Sequence, residues 1–271
     1  MQYKEYQPRS ILRSYVQCYF TCESETTVLS EDNIYASGSV EIMFNLGHTS
    51  KQTWIDQQQV QEPLIQLWGQ TVQPLQVSTV GKHAMFGIRF YPHAAACFLN
   101  ERIDQFNDRL LDMADVAGKK INLLHEQLME TNFIPQRIAL VETFLLQQLL
   151  LFEKKAGKAQ LVHHIMQELR QDDFFDNLDN VANRYGISSR YLQKLFVQYS
   201  GLSPNLFSKI NRFRKSLQLV SQKQLSLTAV AHQCGYFDQS HFIKDFRYFT
   251  GAKPSAFELE SSTDLLASLQ N

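Results

Sequence analysis

The chain has 271 residues, 44% hydrophobic and 20% charged, which suits two domains with sizeable cores and excludes a largely disordered polymer. No run of 18 or more apolar residues offers a membrane span, and the polar stretch from Met1 to Ser10 lacks the apolar centre of a secretion signal. The net charge of -1 conceals an asymmetry: between Arg184 and Lys253 there are 11 Lys and Arg against only Asp238 and Asp245, an excess of +9 that suits a polyanion.

The first third alternates as β-structure. Val40, Ile42, Phe44 and Leu46 form one run and Ala84, Phe86, Ile88 and Phe90 another. Thr71 to Val80 is a further extended run, with Pro74 marking an edge or a bend. Gly38, Gly47, Gly69 and Gly81 punctuate these runs, the pattern of a sandwich or small barrel. In a barrel, Phe44, Trp68, Phe86, Ile88 and Phe90 would face the interior, either as effector-binding residues or as plain filling. Arg89 points to the opposite face, towards Glu41 or towards a ligand.

Metal and catalytic patterns are missing. There is no His-x-His pair, His83 and His93 stand ten residues apart, and His48 has no ligand partner at useful spacing. His163 and His164 diverge by about 100° if helical. No G-x-S-x-G, phosphate-binding loop or G-x-G-x-x-G occurs, so no metal, no cofactor and no enzymatic activity are expected. Cys18, Cys22, Cys97 and Cys234 form no zinc or redox spacing and read as reduced thiols of a cytoplasmic protein.

Beyond Pro92 the periodicity becomes helical. His93 to Leu99 is a short candidate, and Lys119 to Met129 places Ile121, Leu124 and Leu128 on one face. Pro135 suits the first turn of a long helix reaching about Lys154. Ile138, Val141, Leu145, Leu149 and Phe152 stripe that helix, and Leu140, Phe144, Leu146, Leu150 and Leu151 add apolar surface elsewhere. Such a helix must bury more than one face, in its own core, between domains or in a homodimer. The polar run 154–160 places a boundary between a sensory or dimerisation domain, 1–156, and a second domain, 158–260, with a flexible tail at 261–271. Leu161 to Gln171 reads as a helix leading into the second domain.

That second domain contains a repeat. Leu178, Val181, Ala182 and Gly186 recur 49 residues later as Leu227, Val230, Ala231 and Gly235. Two short helices crossing steeply need a small residue at contact and a turn residue tolerant of positive φ, which the alanines and glycines supply. Ser188 or Ser189 can cap the following helix in the first copy and Asp238 in the second. The first turns of those helices carry Ser189, Arg190, Tyr191, Gln193 and Lys194, then Gln239, Ser240, His241 and Lys244: side chains able to read base edges in a major groove. Between the copies, Leu206 to Val220 forms a strut carrying Lys209, Arg212, Arg214 and Lys215. Lys209 and Arg212 are candidates for phosphate contact, though Lys209 and Lys215 could equally be solvated and His241 could pack or cap.

Residues 172–257 resemble the DNA-binding domain of AraC/XylS-type transcription regulators, through GISSRYLQKLFVQYSGLSPNLF (186–207) and AVAHQCGYFDQSHFIKDFRYFTGAKPSAF (229–257). Tyr236 stands where Phe is usual in that family, Ser216 where Ala is common and Glu258 where a basic residue is frequent. The stretches 6–20, 37–47, 67–71 and 87–99 resemble, less specifically, the sensory domain of one branch. The resemblance implies an α+β chain: a cupin-like β-barrel with trailing helices, then an all-α domain of two helix-turn-helix units joined by a linker helix. It implies double-stranded DNA as partner, with a small-molecule effector, a homodimer partner or RNA polymerase as candidate partners of the first domain.

Overall fold

The computed structural model describes residues 2–25, 29–47, 52–99, 101–151, 153–170 and 178–257. His48, Phe152, Glu258 and the tail 261–271 lie outside them.

Among the described residues, ten strands occupy the first part: β1 Gln2–Tyr6, β2 Val16–Ser24, β3 Ser30–Ile34, β4 Val40–Asn45, β5 Gln52–Ile55, β6 Gln58–Val60, β7 Ile65–Trp68, β8 Leu75–Val80, β9 His83–Phe90 and β10 Leu110–Asp112. They form two antiparallel sheets, one ordered β1-β2-β9-β4-β7-β10 and the other β3-β8-β5-β6. β8 starts immediately after Pro74, which has no amide hydrogen to offer a ladder.

The alternation read from sequence is present, but the two faces take opposite roles from those expected. Ile42, Phe44, Ile65, Leu67, Phe86, Ile88 and Phe90 are buried on the face covered by helices. Helix α1 spans Met113–Ala117, α2 Lys120–Met129 and α3 Ile134–Leu151. The His125 ring of α2 stacks over Phe44, and its Nε2 bonds the Asn45 carbonyl at 2.7 Å. Tyr19 of β2 and the Arg9 amide both donate to Glu142, a buried carboxylate on α3. Phe44, Phe86, Ile88 and Phe90 therefore fill the layer between sheet and helices rather than the space between the sheets. Alternation separates the faces of a strand, but the trailing helices decide which face becomes the main core.

Helix α4, Glu153–Leu169, follows α3 directly, so the polar run 154–160 is helical. Ala159, Val162, Ile165 and Met166 bury one face of α4, and the His163 ring lies 4.3 Å from that of His93, which follows β9. Helices α5 Leu178–Arg184, α6 Ser189–Ser200, α7 Pro204–Gln222, α8 Leu227–Gln233 and α9 Gln239–Thr250 complete the fold. One hydrophobic cluster runs from the sheet through α4 into α6, α7 and α9.

Candidate nucleic-acid interface and sheet cavity

The pairs α5–α6 and α8–α9 repeat one construction. Ala182 accepts from the Ile187 amide and Ala231 from the Tyr236 amide, both at 3.0 Å. Gly186 and Gly235 adopt φ of 64° and 71° in the two turns. Ser188 caps α6 by accepting from the Tyr191 amide, and Asp238 caps α9 by accepting from His241 at 2.7 Å. The second turn holds one more residue than the first, so Ser189 corresponds to Gln239 and Lys194 to Lys244. Each second helix is tied back to its first: Ser189 donates to Asp179, and Thr228 donates to Gln239. At the far ends Ser200 and Thr250 donate to the carbonyls of Phe196 and Phe246, and Gly201 and Gly251 close both helices in left-handed conformation.

These caps leave one face of each second helix in solvent. Arg190, Tyr191, Gln193 and Lys194 are exposed on α6, as are Ser240 and Lys244 on α9. Ser189, Gln239 and His241 are half-buried, consistent with the tethering of the first two. Leu192, Leu195, Phe196, Phe242 and Phe246 hold the opposite faces in the core.

The second unit departs from the first at Asp245. Its counterpart, Leu195, packs in the core, whereas Asp245 is a buried carboxylate. Lys209 stands 3.7 Å from it, Arg212 4.0 Å and the His241 ring 3.7 Å. Three of the residues expected at DNA are thus gathered round one acid, which joins the linker helix α7 to α9. Arg212 also lies over the Tyr236 ring at 5.3 Å. Arg214 is turned inward: burial, with Arg170 and Arg89 adding repulsion, pulls its guanidinium down to about 10.

Between the two sheets lies a cavity of about 140 Å³. A single water needs roughly 15 Å³. Of the expected effector-binding residues only Trp68 lines it. The rest of the wall includes Glu41, Met43, Gln66 and Arg89 from the large sheet and Asp32, Glu62, Val77 and Thr79 from the side of the small one. Arg89 binds Glu41 at 2.6 Å and Glu5 at 3.1 Å, and it lines the cavity. Burial pulls its pKa down, but the Glu41 carboxylate, with Tyr3 and Cys18 adding to it, outweighs this, and the guanidinium ends above its ordinary value. Phe20 lies flat beside Arg89, in space that exists because residue 87 is glycine; a Cβ there would meet the ring at 2.1 Å.

The cavity wall also touches the helix-turn-helix units. Tyr35 lines it and packs edge-on against Phe257 at 5.8 Å. Gly69 and Thr71 line it, and Gln70 between them donates to the carbonyl of Ser200 at the end of α6. Asn107 donates to the neighbouring Gly201 carbonyl at 2.8 Å. These amides satisfy carbonyls that a helix end leaves open. Sequence reasoning passed over Tyr35, Gln66, Gln70 and Asn107, because single polar residues carry no periodic signal. Among the described residues no group of three or more His, Cys, Asp or Glu could hold a metal, and no helix is long and apolar enough to cross a membrane.

A family described as a helix-turn-helix domain matches residues 181–259, and one described as a domain of unknown function, DUF6597, matches residues 4–112. The chain is 31% identical over 130 residues to the HTH-type transcriptional activator RhaS of Escherichia coli (strain SMS-3-5 / SECEC), covering 45% of this chain and 46% of that one. It thus spans about half the length of the curated relatives it matches. Among solved structures, a probable AraC family transcriptional regulator from Rhodopseudomonas palustris CGA009 shares 31% identity over 35% of this chain and 88% of that one, with a TM-score of 0.31. ToxT from Vibrio cholerae covers 88% of this chain and 96% of its own at 11% identity, with a TM-score of 0.43. Over its duplicated helix-turn-helix domain, residues 181–259, the chain is similar to AraC-type transcription regulators.

Proposed function

We propose that this chain is a sequence-specific DNA-binding transcription regulator whose sheet region senses a small effector. Arg190, Tyr191, Gln193 and Lys194 read one block of bases, and Gln239, Ser240, His241 and Lys244 read a second. Lys209 and Arg212, held by Asp245, meet phosphate beside the second block. The observation that carries this reading is the duplication itself: two units with matching turns and caps, each leaving a polar helix face in solvent inside the basic window.

Occupancy of the cavity is felt at DNA through its wall. Tyr35 leads to the second unit through Phe257, and the Gly69–Thr71 segment leads to the first through Gln70 and Ser200. An effector shifts the balance only if it binds two arrangements of these contacts unequally. The division at 156–158, inside α4, separates the sensory and DNA-binding parts in this reading.

The test is selection of bound sequences from a random DNA library at about 150 mM salt, where non-specific phosphate binding is weakened. The expected motif has two blocks roughly one helical turn apart. Recovery of no motif would overturn the reading.

A second reading, in which the sheet region serves as a homodimer or RNA polymerase contact, draws on α3. Leu150 and Leu151 at its end are 78% and 65% exposed. Sedimentation equilibrium of the wild type and of Leu150→Glu decides it; a dimer lost in the variant supports this reading, and a monomer in both removes the homodimer.

A further inference from the structure

We propose that the cavity between the sheets takes a small uncharged carbonyl compound, about the size of a six-membered ring. The inference deepens the sensory reading above and rests on it.

Strand alternation puts Glu41 and Met43 of β4 and Gln66 and Trp68 of β7 on the face turned to the cavity, with Met43 directly across from Gln66. Gln66 is fully buried there. The Trp68 indole donates to its Oε1 at 2.8 Å. An indole can only donate, so this bond fixes the amide with its NH₂ directed elsewhere. That Nε2 has no hydrogen-bond partner among the described residues. A buried donor without a partner is costly, and a ligand oxygen in the cavity supplies one.

The acids and the guanidinium of the wall argue against a charged ligand, because they are already engaged. Arg89 is held by Glu41 and Glu5, so a ligand carboxylate would compete with two resident ones. Glu62 accepts from Thr53 Oγ1 at 2.6 Å, and Asp32 is engaged as well. An ammonium group would leave water for these occupied acids and, having only donors, could not answer Gln66 Nε2. A carbonyl oxygen answers it with no charge to bury.

Phe20, Met43 and Met85 of the large sheet and Ile34 and Val77 of the small one offer the rest of the ligand an apolar bed. The cavity, about 140 Å³, is close to the roughly 150 Å³ that accommodates benzene between apolar side chains, which sets the ligand near one ring in size.

The test is calorimetric titration of the full chain, near neutral pH, with cyclohexanone, cyclohexylamine and cyclohexanecarboxylate, which share the ring and differ in its one functional group. The ketone is expected to bind at least tenfold more tightly than either charged probe. Gln66→Met keeps the length of the side chain and removes its donor, and should weaken the ketone at least threefold. Val77→Phe fills the cavity from the small sheet and should abolish ketone binding. Equal or tighter binding of the amine or the carboxylate overturns the proposal, as does no binding of the ketone at 20 mM or an unchanged affinity in Gln66→Met. Anisotropy on the selected DNA site, without any probe, is read in parallel. Specific DNA binding alongside a failed titration would overturn the ligand class and leave the regulator standing; loss of both would remove the reading beneath it.

Discussion

Two departures from the family pattern meet in this fold. The Tyr236 phenol is buried beside the Ser216 hydroxyl of α7, and burial raises its pKa. The extra hydroxyl at 236 thus comes with an extra hydroxyl at 216. The phenol oxygen has no hydrogen-bond partner among the described residues, and the Ser216 hydroxyl donates to the Phe213 carbonyl. Ser216→Ala should therefore cost no more than about 1 kcal/mol, and a double change with Tyr236→Phe that costs less than the sum would show that the two hydroxyls interact. Urea unfolding of the four proteins gives the cycle, and strict additivity would show that the hydroxyls do not interact. On the proposed DNA-reading face, Gln193 is exposed. Gln193→Ala should relax preference at one base position by about 1–3 kcal/mol while leaving the unfolding midpoint unchanged. A selected motif identical to the wild type's would move the first recognition face elsewhere on α6.

The two glycines that end α6 and α9 compare docked and free helix ends directly. Both occupy left-handed backbone, φ 74° and 75°, so alanine at either bears the same intrinsic strain of about 1–2 kcal/mol. Around Gly251 an added Cβ meets nothing within 4 Å; at Gly201 it lies 2.8 Å from Asn107 Oδ1 and 3.2 Å from Ile103. Gly201→Ala should therefore cost about 1–3 kcal/mol more than Gly251→Ala, from overpacking against the sheet region. Thermal unfolding ranks the pair, and equal losses would mean that α6 is not held at this contact. Helix α3 shows why a full apolar circumference is ambiguous in sequence. Val141 and Leu145 are core residues, while Leu150 is largely exposed, and only its neighbours distinguish them.

At the scale of the whole molecule, His93 joins the sheet region to α4. It is buried, its Nε2 donates to the Ser14 carbonyl at 3.0 Å, and burial, with His163 adding repulsion, holds its pKa down at about 3. The folded value lies below the unfolded one of about 6.5, so the unfolded chain takes up the proton first as pH falls. The stability this neutral ring contributes is complete above pH 6.5 and is lost progressively from there towards pH 3. Between pH 7.5 and 5 the loss is about 2 kcal/mol. Urea midpoints across that range should show it, and His93→Gln should flatten the profile; an unchanged slope in the variant would assign the pH dependence to other groups.

The local grammar of the second half was legible in the residues. Ala182, Gly186 and Asp238 had to serve a steep crossing, a positive φ and a cap, because each depends on its immediate neighbours along the chain. Strand alternation at Phe44 and Phe86 was legible for the same reason. Which face of those strands would become the cavity was not, because that depends on α2 and α3 covering one side. Nor could spacing show that Asp245 gathers Lys209, Arg212 and His241, or that Gln70 and Asn107 reach the end of α6 from 130 and 94 residues away. Period and propensity act within a turn or two of chain, whereas burial, ion pairing and cavity walls exist only once distant segments share one space.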